Sequence, residues 1–120
     1  MAEKPSPSAE AERRAFLDAL RSLDRALDEN IDRAHLMKTR IADLQHACSS
    51  GRPISDIVPQ EKTPLIVELL TESTENLHTF GSQVRRSEAR VLHTEGMPME
   101  RIARLFGVTR QRVSTLLRGE

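Results

Sequence analysis

Residues 99–119 read MERIARLFGVTRQRVSTLLRG, and the spacing of their apolar residues decides the fold. Ile102, Ala103 and Phe106 share one face of a short helix. Gly107 stands where the chain has to turn sharply, so a positive φ is expected there, which glycine adopts without steric cost. Val108 is expected to plug the turn, and Thr109 to cap a second helix through its hydroxyl. On that helix Val113, Leu116 and Leu117 form the inner face, while Arg110, Gln111, Arg112, Ser114, Thr115 and Arg118 lie off it.

This arrangement resembles the helix-turn-helix of bacterial DNA-binding proteins. In that family a small residue in the first helix is followed four positions later by Gly and then by an apolar residue. A β-branched residue comes six after the Gly and another apolar residue three beyond. Ala103, Gly107, Val108, Val113 and Leu116 occupy those five places. Ala103 lets the two helices cross closely, and Gly107 makes the tight turn between them. The segment VTRQRVSTLL is also similar to the promoter-reading domain of sigma factors and related small regulators. The resemblance covers residues 84–119 and assigns nothing to the N-terminal two-thirds of the chain.

The resemblance implies that the second helix enters the major groove with its N-terminal residues at base edges. Arg110, Gln111, Arg112 and Thr115 are then the base-reading candidates, because Arg bonds guanine and Gln bonds adenine through two hydrogen bonds each. Arg101, Arg104, Thr109, Ser114 and Arg118 are candidates for phosphate contacts, with Arg85, Arg86 and Arg90 as weaker ones. The first helix of a three-helix unit would span residues 84–94, with Ala89 and Leu92 facing the other two helices. Only Gly119 and Glu120 follow the last helix, so a β-wing is not expected.

Charge is distributed accordingly. The 120 residues have a formal net charge of zero. Residues 1–84 hold ten Lys+Arg against fourteen Asp+Glu, which gives −4, and residues 85–120 hold eight Arg against four Glu, which gives +4. An acidic front and an arginine-rich back suggest two tasks, the second facing an anionic partner.

Upstream, the pattern is that of long helices. Residues 1–8, with Pro5, Ser6, Pro7 and Ser8, read as a disordered lead. Ser8 would cap a helix over residues 9–49, where Leu20, Leu23, Leu27, Ile31, Ala34, Met37, Ile41, Leu44 and Cys48 recur at steps of three or four. Gly51 and Pro53 stop it. Residues 50–63 form a connector, with Ile54, Ile57 and Val58 expected to tuck against the helices. After Thr63 as cap and Pro64 at the first helical position, Ile66, Leu70, Ser73, Leu77, Phe80, Val84, Ser87 and Val91 follow a 4-3 heptad to about residue 94. Gly81 lies inside this helix, either as a tolerated residue or as a kink or close helix contact. One pair of such helices has too little interior to cover its own apolar stripes, so a homodimer is expected, with Ile66, Leu70, Leu77, Phe80 and Val84 in the seam.

Other classes fit poorly. There is no Trp or Tyr and there are three Phe, against an all-β fold. No apolar run reaches the ~18–20 residues of a membrane helix, and the polar N-terminus lacks the apolar core of a secretory signal. His35, His46, Cys48, His78 and His93 show no metal-ligand spacing, and Cys48, the single cysteine, is expected to be partly buried. No phosphate loop and no nucleophile–base pair is present, so no enzyme activity and no cofactor are expected. The expectation is an all-α protein: a dimerising, coiled-coil-like helical hairpin over 9–80, then a helix-turn-helix over 81–120. It would act in the bacterial cytoplasm, at the nucleoid, as a sequence-specific regulator binding double-stranded DNA. The rival expectation is a helical adaptor to RNA polymerase or another regulator.

Overall fold

The computed structural model describes residues 7–119. They form α1 (Pro7–Cys48), α2 (Ile54–Ile57), a 3-10 turn (Val58–Gln60), α3 (Ile66–Thr94), α4 (Met99–Phe106) and α5 (Arg110–Leu117), with no strand among the described residues. Most of the expected disordered lead, residues 1–6, lies outside the described residues. Pro7 and Ser8 are already helical, so Ser8 stands in the first turn rather than at the cap; a proline is tolerated there because its missing N–H has no partner to lose.

No Gly or Pro interrupts α1 after Pro7. Its last carbonyls are taken by hydroxyls: Ser49 Oγ donates to the His46 carbonyl and Ser50 Oγ to that of Ala47, each at 2.6 Å. The start of α3 departs from expectation. Thr63 and Pro64 precede the helix, and the Glu61 carboxylate caps it by accepting from the Ile66 N–H at 2.8 Å. A carboxylate beside the positive end of a helix is favoured by the dipole as well as by the hydrogen bond.

The chain divides into two compact units. One contains residues 25–78; the other combines residues 7–24 with 79–119. The sequence reading divides the chain at 80/81 instead and gives all of 9–80 to one element.

Within residues 25–78, Ala26, Ile57 and Leu69 are buried. The helices meet through a polar layer centred on Arg33, whose Nε lies 3.3 Å from Glu72 Oε2 and whose Nη1 donates to Ser73 Oγ at 3.2 Å. Nη1 also donates to Asn30 Oδ1 at 2.8 Å. Arg40 Nη2 donates to the Thr63 carbonyl at 3.3 Å. Two expectations fail here. Of the connector's apolar residues only Ile57 tucks in, while Ile54 and Val58 are exposed. Cys48 is exposed and free rather than partly buried.

The second unit holds the largest core: Ala89, Ile102, Ala103, Val113 and Leu116 are buried together, with Leu92, Met97, Met99, Phe106 and Leu117 packed around them. From α1, Ala19 is buried, and Phe16 and Leu17 line a small cavity with Val91 and Leu92. α3 runs unbroken through Gly81, where an added Cβ would come no closer than 4.0 Å, to Arg85 Nη1. Gly81 is therefore a tolerated helical glycine rather than a kink or a close contact. Gly81→Ala should raise unfolding stability by about 1 kcal/mol in a denaturant titration, because alanine loses less backbone entropy in a helix.

Candidate nucleic-acid interface

α4 and α5 are joined by three residues. Gly107 has φ 67°, the left-handed conformation that ends α4. The Val108 N–H returns to the Ala103 carbonyl at 3.0 Å and the Gly107 N–H to that of Arg104 at 3.3 Å, so α4 closes with satisfied carbonyls. Nothing lies within 4 Å of a Cβ built on Gly107. Gly107→Ala should therefore lose only the backbone term, about 1–2 kcal/mol, opposite in sign to Gly81→Ala in the same titration. Val108 plugs this turn only in part: it is 38% exposed and lines a small cavity with Phe106, Arg112 and Leu116.

Thr109 begins α5 as expected, its Oγ1 accepting from the Arg112 N–H at 3.1 Å. The core sees one face of α5, Val113 and Leu116, with Leu117 half-buried. Arg110, Gln111, Arg112 and Arg118 are exposed, and Ser114 and Thr115 half-buried. Thr115 Oγ1 donates to the Gln111 carbonyl at 3.0 Å, and Arg118 Nη1 lies 3.5 Å from Ser114 Oγ. On α4, Arg101 and Arg104 are exposed and Ala103 is buried against α5's core face. Arg101, Arg104, Arg110, Arg112 and Arg118 thus all lie outside the core. Of the weaker candidates, Arg85 is exposed, while Arg86 and Arg90 are half-buried. Arg90 approaches the end of α5 so closely that a Cβ on Gly119 would meet its Nη2 at 2.7 Å.

One residue escaped the sequence reading. Glu100, in the first turn of α4, forms an ion pair with Arg110, Oε1 to Nη1 at 3.1 Å. The signal was its position: it is the only acidic residue from 99 to 119, one place before the arginine-rich run begins.

Of the expected dimer-seam residues, Ile66, Phe80 and Val84 are half-buried, whereas Leu70 and Leu77 are 51% and 45% exposed. On α1, Leu27, Ile31 and Ile41 are also exposed. Among the described residues no group of three His, Cys, Asp or Glu could hold a metal ion, and no helix is long and apolar enough to cross a membrane. Compared with models of known families, with curated proteins and with solved structures, the chain matches none.

Proposed function

We propose that this chain is a sequence-specific, double-stranded-DNA-binding transcriptional regulator that acts as a homodimer at the bacterial nucleoid and is not an enzyme. The observation that carries this reading is the α4–Gly107–α5 arrangement. Two short helices share one small core, and the second carries exposed Arg110, Gln111 and Arg112 in its first turn. Read as a helix-turn-helix, α5 is the recognition helix and residues 84–94 of α3 are the first helix of the unit. Arg101 and Arg104 contribute phosphate contacts and counterion release, so binding weakens steeply with salt.

The dimer has its own support in residues 25–78. On both long helices most exposed apolar residues, Leu36 excepted, follow partly or fully buried ones by one place: Leu27 after Ala26, Ile31 after Asn30, Ile41 after Arg40, Leu70 after Leu69, Leu77 after Asn76. One residue is about 100° of helix rotation. In an antiparallel hairpin that offset turns both exposed rows to the same side, giving one apolar face. A second copy that covers it makes a four-helix bundle, and the polar Arg33 layer fixes register within each hairpin.

The adaptor reading, with RNA polymerase or another regulator as partner, is favoured by one feature: Leu105 is 62% exposed and lies near the exposed Val108 in sequence. Titration of the full chain against duplex DNA at several salt concentrations separates the readings, since an adaptor shows no steep salt dependence. The role assignments are tested residue by residue. Gln111→Ala should cost ~1–3 kcal/mol on a selected site and little on random duplex. Arg104→Ala should weaken both and flatten the salt slope by about one. Equal losses on the two duplexes for Gln111→Ala would contradict base reading.

A further inference from the structure

We propose that Glu100 is a specificity-determining residue, which holds Arg110 for guanine and makes its use on phosphate unfavourable; this rests on the DNA-reading function above. Arg110 opens α5, where the helix dipole already favours anions. A free arginine in that place would pair with any backbone phosphate, and binding there would carry no sequence information. Glu100 changes the balance. Its carboxylate engages Nη1 of Arg110 and leaves Nε and Nη2 uncommitted by that contact. The guanidinium has five N–H donors in a fixed fork, and guanine O6 and N7 need two of them. Guanine can therefore be bound with the ion pair intact. A phosphate approaching the same group meets the Glu100 carboxylate, and the like charges repel.

The pair is suited to this role because it is exposed. The side chains of Arg110 and Glu100 are 67% and 58% accessible. Exposed ion pairs contribute little to folding stability, so this one is not needed to hold α4 to α5. That task falls to Ile102, Ala103, Val113 and Leu116.

The test uses the full chain as wild type, Glu100→Gln, Arg110→Ala and the double variant. Each is titrated against a duplex selected by the wild type from a random pool, and against random duplex, at several salt concentrations. Glu100→Gln should raise affinity for random duplex about threefold near 0.1 M salt and steepen its salt slope by about one, as Arg110 is released to phosphate. Affinity for the selected duplex should rise less, so the ratio between the two falls. With Arg110 already replaced by Ala, Glu100→Gln should leave the ratio unchanged. Equal gains on both duplexes, or the same change in ratio without Arg110, would show Glu100 acting as bulk charge and overturn the proposal. A wild-type chain that selects no duplex and binds none in a salt-dependent way would overturn the DNA-reading function itself, and this inference with it.

Discussion

Replacing Ile102 by Ala is expected to cost about 2–5 kcal/mol of unfolding free energy, the range for truncating a large aliphatic side chain in a closed core. Ile102 is wholly buried, as are Ala89 and Val113 beside it. These neighbours are short or belong to different helices, so the space left by three carbons cannot close without moving α4 against α5. The loss should appear as an earlier transition in a denaturant titration followed by circular dichroism. The proposed salt-dependent DNA binding should fall with it, because the start of α5 loses its fixed place. Leu105→Ala is the matched control: Leu105 lies on the same short helix but is mostly exposed, and surface truncations stay within about 0.5 kcal/mol. Similar losses for the two variants would mean that α4 does not pack as described.

Leu77→Asp, alone or with Leu70→Asp, is expected to convert the proposed dimer into a folded monomer. Both residues are about half exposed in the single chain, so a carboxylate there stays hydrated as long as the chain is alone. Covered by a second copy, the same carboxylate is stripped of water. At several kcal/mol per unpaired buried charge, the dimer should weaken by two orders of magnitude or more. Light scattering at micromolar concentration should show the mass halve while helicity is kept. Leu69→Asp is the contrast, because Leu69 is buried within one chain and its substitution should unfold residues 25–78 whatever the oligomeric state. A wild-type chain of monomeric mass at these concentrations, fully helical, would rule the dimer out.

The turn between α4 and α5 was the most legible part of the sequence. Gly107 needed a positive φ, Thr109 had a cap to make, and Ile102, Ala103, Val113 and Leu116 were spaced to meet. Each of these is a local requirement that a few residues state completely. The faces of the long helices were less legible. The expected stripe on α1 followed its large aliphatic residues and so mixed two rows. The buried row runs through Ala19 and Ala26, whose small side chains allow close approach of backbones but carry little weight in a hydrophobic pattern. On α3, Leu69 and Leu70 are adjacent and chemically alike, so the pattern alone did not say that Leu69 is the one buried within the chain. The Glu61 cap was hidden because its carboxylate reaches forward five residues, past the Thr63 and Pro64 that looked like the cap. At the candidate site the exposed arginines were visible as composition. The ion pair of Glu100 with Arg110 was not, since it joins residues on opposite sides of a turn.

The unit that contains α4 and α5 also contains residues 7–24, so it is assembled from two segments far apart in sequence. During synthesis its first part leaves the ribosome long before its last. Phe16 and Ala19 must wait, uncovered, until α3 has been made, and the core around Ile102 is complete only when Val113 and Leu116 have emerged. Folding of this unit therefore comes later in order than that of residues 25–78, which have all their own partners in hand earlier. The same arrangement makes α4 and α5 a poor cassette for transplantation. A fusion carrying residues 82–119 alone would keep the turn and the arginines but lose the part of α1 that lines the cavity at Val91, so a transplant of α4 and α5 has to bring residues 7–24 with it.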